Sequence, residues 1–190
     1  MKCLVCHRLS LWHICKKCQK IYLKPQLFKQ KLPNGFEVFS FYTYEDIKPF
    51  LHTKHTDLGY YIYHILAKNS FSLFAKEFNF YQKTASLSID DNPSNSYSHT
   101  AILNHHLHSN TIKPCYGKLL AKNKLSYSGK SKDFRINNPR DFQFKEFSEK
   151  NCIVVDDIIT TGTTLHEATT LLENHNKEVL FCLTLASVKN

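Results

Sequence analysis

The stretch CIVVDDIITTGTTL, from Cys152 to Leu165, sets an apolar run against two adjacent acids, Asp156 and Asp157, and then crowds Thr160, Thr161, Thr163 and Thr164 around Gly162. An apolar run followed by a loop and a helix places such a loop outside the carboxyl end of a strand, where ligands of parallel sheets bind. Gly162 lets the backbone turn sharply and approach a ligand, and the amides of Thr161 to Leu165 with the following helix dipole offer positive charge to an anion. The threonines add hydroxyl donors without bulk. The acids cannot hold a phosphate, but they can accept hydrogen bonds from the vicinal hydroxyls of a ribose whose 5'-phosphate sits in the turn. The ligand shape so described is a ribose 5-phosphate. The plainer alternative is a threonine-capped helix after a buried strand, with the acids incidental. The competing phosphate motifs, G-x4-G-K-S/T and G-x-G-x-x-G, are absent from the sequence.

Four of the seven cysteines, Cys3, Cys6, Cys15 and Cys18, form a C-x2-C-x8-C-x2-C pattern. Each C-x2-C is a tight knuckle whose thiolates aim at one centre, and two knuckles make the tetrahedral sulfur cage that Zn2+ prefers. So short a segment cannot bury enough apolar area to fold alone, so the metal would supply most of its folding free energy. The rival readings are a pair of disulfides, which a cytoplasmic location disfavours, and coincidence. His7 and His13 are nearby imidazoles able to replace a thiolate, or ordinary surface histidines. Cys115, Cys152 and Cys182 sit in apolar contexts and read as buried small hydrophobes. Lys2, Arg8, Lys16, Lys17, Lys20 and Lys24 surround Trp12, a mixture that can touch nucleic acid or can simply be solvated.

The elements that must carry these groups follow from the pattern of the rest. The 190 residues suffice for one mid-sized domain and a small appendage. The net charge of +9 comes mostly from lysine, since Arg8, Arg135 and Arg140 are the only arginines, and it favours polyanionic partners. No apolar run reaches the roughly 18 residues of a membrane span, and MKCLVCHRLS lacks the apolar region of a signal peptide. A cytoplasmic protein without membrane insertion is expected. Residues 25–35, with two prolines and a turn, read as a linker, and the second domain should begin near Phe36. Strands are expected at FEVFSFY, ASLSID, IKPCYGKLLAK, CIVVDD and EVLFCLTLASV, with helices at LGYYIYHILAKN (capped by Asp57), SFSLFAKEFNF, HTAILNHHL and LHEATTLLENH. Leu125 to Asp141 reads as a polar loop. Strand and helix alternate, and the runs IVV and VLFCLTLA suit strands buried on both faces of a parallel sheet. His105 and His108 share a helical face, but no nearby cysteine completes a metal set, so His99, His105, His106 and His108 read as surface residues.

The strand ending in two acids and a Thr/Gly loop resembles the phosphoribosyl pyrophosphate signature of type I phosphoribosyltransferases. With the four-cysteine segment before it, the chain resembles the ComF family, which is associated with DNA uptake in natural transformation. The resemblance implies an α/β fold, a type I phosphoribosyltransferase-like parallel sheet flanked by helices, arranged as a zinc ribbon (1–24), a linker (25–35) and a phosphoribosyltransferase-like domain (36–190). It implies that Asp156 and Asp157 contact the ribose hydroxyls and act in catalysis, and that Thr160, Thr161, Gly162, Thr163 and Thr164 hold the 5'-phosphate. Mg2+ would arrive with the pyrophosphate, and Lys130, Lys132 and Arg135 fall where the family has a basic loop that closes over the site. The implied partners are phosphoribosyl pyrophosphate, incoming single-stranded DNA and other DNA-uptake or recombination proteins. The activity that the resemblance implies is phosphoribosyl transfer; a non-catalytic DNA-binding or scaffold role is the alternative. The chain departs from the family at the pyrophosphate loop, where a Pro-Val-Pro strand and an Arg-Gly-Phe-Asn segment are replaced by SLSIDDNPSNSYSHT. Asp90 and Asp91 put negative charge there with no basic residue before His99, so either a metal bridges acid and phosphate or the site binds without turnover.

Overall fold

The apolar runs IVV and VLFCLTLA become neighbouring parallel strands at the centre of a seven-stranded sheet. The structure is a computed structural model that describes residues 1–90, 97–123, 134 and 137–188. In chain order the elements are α1 (Lys16–Tyr22), β1 (Phe28–Lys31), β2 (Glu37–Thr43), α2 (Tyr44–Leu51), α3 (Asp57–Asn69), α4 (Phe71–Glu77), β3 (Thr84–Ile89), α5 (His99–His105), β4 (Ile112–Ala121), β5 (Phe142–Phe144), β6 (Asn151–Ile159), α6 (Thr163–Asn174) and β7 (Glu178–Ser187). The strand order is β1-β2-β7-β6-β3-β4-β5. The five inner strands run parallel, and β1 and β5 close the edges antiparallel. Edge strands this short leave little unpaired backbone to recruit another chain.

Side chains of a strand alternate between the two faces, and each face has its own core. Ile153 and Val155 of β6 and Phe181, Leu183 and Leu185 of β7 pack with α2, α3, α4 and α5, around Ile47, Ile62, Leu66 and Leu103. Cys152 and Val154 of β6, with Cys182 and Val179 of β7, pack on the other face against Leu165, Ala168 and Leu172 of α6. Continued two residues further, the same alternation sends Asp157 toward the first face and Asp156 toward the second. Cys115, Cys152 and Cys182 are buried in the second core, as their apolar contexts indicate.

Several elements differ from expectation. Residues 25–35 carry β1, whose Phe28 to Lys31 pair with Ser40 to Glu37, so this segment is a strand of the sheet rather than a plain linker. Its signal is hidden because four residues flanked by prolines carry too little periodicity. Helix α3 is capped by Thr56, whose hydroxyl accepts from the Gly59 amide, and Asp57 is its first residue. A Cβ at Gly59 would lie 2.2 Å from the Thr53 carbonyl oxygen and 2.3 Å from the Tyr97 hydroxyl oxygen, so only glycine lets the chain pass here. The acids do not end β6: it runs on through Ile158 and Ile159, which pair with Ala186 and Ser187. The cysteine segment is fastened to the first core. Cys3, Ile14, Cys18 and Leu23 are buried in it, Tyr42 donates to the Leu23 carbonyl at 3.2 Å, and Asn69 donates to Gln19 at 3.1 Å.

Candidate functional site

At the carboxyl end of β6 the chain turns through Thr160, Thr161 and Gly162 into α6. Gly162 holds φ +74° at the N-cap, the left-handed region that glycine adopts without strain. A Cβ there would approach Leu32 Cδ2 to 2.7 Å, so the residue also lets the turn sit against the loop after β1. No side chain caps the helix. Its first-turn amides therefore face a small open hollow of about 30 Å3 lined by Asp156, Ile158, Ile159 and Thr160 through Leu165. The hydroxyls of Thr161 and Thr163 are 2.9 Å apart. Helix-start amides, hydroxyls and a twelve-residue helix dipole form a seat for one compact anion.

The two acids have different surroundings. Asp156 is half-buried and opens onto the hollow, and its Oδ1 accepts from the Asp157 amide at 2.8 Å. Burial and the neighbouring Asp157 charge push its carboxyl above the usual range, with Arg140 opposing them; its opening onto the hollow moderates the effect of burial. Asp157 is buried on the other face. Burial would raise its carboxyl too, but Lys54 Nζ at 3.2 Å and His99 Nε2 at 3.3 Å from Oδ2 hold it well below the carboxylate range. Its Oδ1 accepts from the Ile158 amide at 2.8 Å. Asp157 is thus the more readily ionised member of the pair, and Lys54 is raised in turn, chiefly by Asp157. The fully buried Tyr63 packs its ring 5.5 Å from that of His99, and its hydroxyl has no hydrogen-bond partner among the described residues.

Of the expected site residues, Asp156 and Thr160 to Thr164 line one hollow, and Asp157 stands beside them on the opposite face of β6. Lys130, Lys132 and Arg135 lie outside the described residues, as does Asp91. Three contributors were not singled out from the sequence as site residues. Lys54 follows α2, His99 opens α5, and Arg140 Nη1 reaches Asp90 Oδ2 at 3.3 Å. Asp90, at φ +48°, also accepts from the Ala121 amide at 3.3 Å. Asp90 is therefore not uncompensated: its cation comes from fifty residues later in the chain. Arg140 and Asp141 are tied to α6 as well, their amides donating to Glu167 at 2.9 and 2.6 Å. His99 is largely buried against Asp157 rather than a surface residue, and His106 hydrogen-bonds His64 and Ser72.

The four N-terminal sulfurs of Cys3, Cys6, Cys15 and Cys18 all lie within 4.8 Å of one another, with Cys6 and Cys15 Sγ 3.8 Å apart. Sulfurs about 2.3 Å from a shared tetrahedral centre would be about 3.8 Å apart, so the spacing fits a metal ion. The Cys15 and Cys18 amides point at the sulfurs of Cys3 and Cys15, at 3.3 and 3.5 Å, the arrangement by which a knuckle offsets thiolate charge. No helix among the described residues is long and apolar enough to cross a membrane.

Comparison with known proteins agrees with this geometry. The phosphoribosyl transferase domain family matches residues 120–189, the span from β4 through β7 that contains the acids, the turn and α6. No curated protein matches the chain. Among solved structures, a hypoxanthine phosphoribosyltransferase from Staphylococcus aureus is similar at 18% identity and TM-score 0.40, covering 66% of this chain and 62% of its own. An orotate phosphoribosyltransferase from Aeropyrum pernix is similar at 16% identity and TM-score 0.42, covering 90% of this chain and 80% of its own. The chain thus spans less than two thirds of the Staphylococcus protein. The sheet, the strand–turn–helix hollow and the family match define an α/β protein of the phosphoribosyltransferase fold. More particularly, residues 120–189 match the phosphoribosyl transferase domain family, and four cysteines close enough to hold a metal ion stand at residues 3–18.

Proposed function

We propose that the protein binds phosphoribosyl pyrophosphate at the β6–α6 hollow and transfers its phosphoribosyl group. The observation that carries this reading is the uncapped start of α6, with Gly162 left-handed and Asp156 on the hollow's wall. The amides and hydroxyls of residues 160–164 hold the 5'-phosphate, Asp156 on the wall of the hollow accepts from the ribose hydroxyls, and Asp157, on the opposite face of β6, acts through its charge. Asp157, kept ionised by Lys54 and His99, supplies fixed negative charge beside a ring carbon that becomes positive as its bond to pyrophosphate breaks. Mg2+ bound with the ligand would neutralise the departing pyrophosphate, and the cationic side chains of Lys130, Lys132 and Arg135 would add to that charge. The remaining work is positioning, which can supply several kcal/mol of a barrier.

Calorimetry with phosphoribosyl pyrophosphate and Mg2+ tests the site. Saturable binding is expected for the wild type, with a loss of at least tenfold in affinity for the Asp156→Asn, Asp157→Asn double variant. Equal affinity in both would remove the acids from the site.

The same proposal assigns Zn2+ to the four cysteines, since four thiolates at tetrahedral spacing select it, and the cytoplasm to the protein, where unpaired thiols persist. We also propose the ComF role, handling of incoming single-stranded DNA alongside other uptake proteins. It is supported by the exposed tip of the cysteine segment, where Leu9, Leu11 and Trp12 are 87%, 90% and 50% exposed among exposed Lys2, Arg8, Lys16 and Lys17. An aromatic ring among cations is the platform on which unpaired bases stack. Single-stranded oligonucleotide binding should weaken steeply with salt and fall severalfold in Trp12→Ala; salt-independent binding would refute it.

A further inference from the structure

Asp157 draws its two cations from separate elements: Lys54 comes from the turn between α2 and α3, and His99 from the start of α5. A lysine side chain has high rotational freedom, so an ammonium held 3.2 Å from a buried carboxylate needs a well-fixed backbone beneath it. The turn that carries Lys54 is tightly bonded. The amide and hydroxyl of Thr53 both donate to the Phe50 carbonyl, at 3.1 and 2.6 Å, and those of Thr56 donate to the Thr53 carbonyl at the same two distances. His55, inside this turn, holds φ +73°. A residue with a side chain is strained in that left-handed region and stays there only where its surroundings fix it.

Tyr97 does part of the fixing. Its hydroxyl accepts from the His55 amide at 3.2 Å and donates to the Thr56 carbonyl at 3.1 Å, so one oxygen ties the chain on both sides of the strained residue. The absence of a side chain at Gly59 leaves the room that this oxygen occupies. Tyr97 also stands two residues before His99, and Ser98 between them caps α5, its hydroxyl accepting from the Ala101 amide at 3.2 Å. The ring of His55 packs 5.5 Å from that of His99, edge to face. The segment that delivers His99 to Asp157 therefore also grips the turn that delivers Lys54.

We propose that Tyr97 is a positioning residue of the candidate site: its hydroxyl fixes the turn at residues 53–56, sets Lys54 against Asp157, and so joins the two cations of that carboxylate into one unit. The consequence for ligand binding rests on the phosphoribosyl pyrophosphate reading of the neighbouring hollow. Without the hydroxyl, the turn relaxes and the Lys54 ammonium is released to water. Asp157 is then offset by His99 and the Ile158 amide, and a polyanionic ligand meets one more uncompensated negative charge.

Tyr97→Phe removes one oxygen and leaves the ring against Tyr60, 5.8 Å between centroids. Calorimetry on the full chain at pH 7, with phosphoribosyl pyrophosphate and Mg2+, should show affinity about fivefold lower in Tyr97→Phe and at least as low in Lys54→Met. The double variant should bind no more weakly than Lys54→Met, because a residue that acts through Lys54 has nothing left to lose once Lys54 is gone. Carbon NMR of the Asp157 carboxyl should show its titration midpoint moved upward from the wild-type position in both single variants, with circular dichroism checking that each is folded. A hydroxyl that served packing alone would leave that midpoint in place and multiply its loss with that of Lys54→Met. Either result overturns the proposal. A wild type that binds no phosphoribosyl pyrophosphate sinks the reading of the hollow, and the carboxyl midpoints then decide the role of Tyr97 by themselves.

Discussion

Lys54 and Asp157 each depend on the other for their charge. Asp157 is nearly closed to solvent, and removing its cation leaves a buried carboxylate with His99 and one amide to offset desolvation. Breaking a fully buried pair costs about 3–5 kcal/mol; Lys54 is about one-third exposed, so Lys54→Met should cost about 2 kcal/mol at pH 7 by denaturant unfolding. The pH dependence has a definite sign. Because the folded Asp157 carboxyl is held low, its contribution is complete above the unfolded value near about 4 and is lost as pH falls through the depressed folded value. The gap between wild type and Lys54→Met should therefore be full at pH 7 and begin to narrow only below about pH 4; a gap of undiminished size at pH 2–3 would assign the loss to packing instead. Gly162 makes a second demand at this scale. An alanine there would have to hold φ +74° and push Leu32 Cδ2 aside, which should cost about 1–3 kcal/mol and weaken phosphoribosyl pyrophosphate binding together.

Among elements, the clamp between α3, α4 and α5 shows what contiguous patterning can and cannot reveal. His106, just beyond α5, hydrogen-bonds His64 of α3 at 3.0 Å through Nε2 and Ser72 of α4 at 2.7 Å through Nδ1. Burial, then His64, His105 and Lys68, bring His106 down to about 4. An imidazole lowered on folding stabilises the fold above its unfolded value near about 6.5, and that contribution is lost as pH falls toward 4. Melting temperature should drop across that window, by the equivalent of about 1–2 kcal/mol after allowing for partial exposure, and His106→Gln should flatten the drop; an unchanged profile in the variant would refute it. The helical spacing that pairs His105 with His108 gives no hint of a partner on α3, forty-two residues earlier. The same limit separates the legible half of the candidate site from the rest. Residues 156–164 are contiguous, so strand, turn and helix could be read from local pattern. Lys54 and His99 reach Asp157 only because β6 lies between β7 and β3, which brings α3 and α5 over one face. Edge strands β1 and β5, of four and three residues, were too short to show a period.

At the scale of the molecule, the four-cysteine segment and the sheet share one core. Cys3 and Cys18 are buried in the same core as Ile47, Ile62 and Leu66, and His13 stacks on Tyr61 of α3 at 4.8 Å between ring centroids. A segment with one seven-residue helix and a single isolated bridge, Lys2 to Leu9, has little structure of its own without a metal. If its sulfurs let go, Ile14 and Leu23 lose their ordered cover, and the face of the sheet that carries α3 and Asp157 is opened. Metal removal should therefore destabilise the whole chain rather than melt an appendage. A metal present at a hundredfold excess over its dissociation constant contributes about 2.7 kcal/mol, which for a chain of this size is a shift of roughly 5–10 °C. Calorimetric scans with and without a chelator should show one transition that moves down by that amount, and Cys6→Ser, at an exposed ligand position, should reproduce the shift. Phosphoribosyl pyrophosphate affinity should fall in the same samples, because the turn carrying Lys54 and the helix opened by His99 are held by α2, α3 and α5, which pack in the shared core. Two separate transitions, with the upper one insensitive to chelation, would show instead that the segment is an independent unit resting on a self-sufficient sheet.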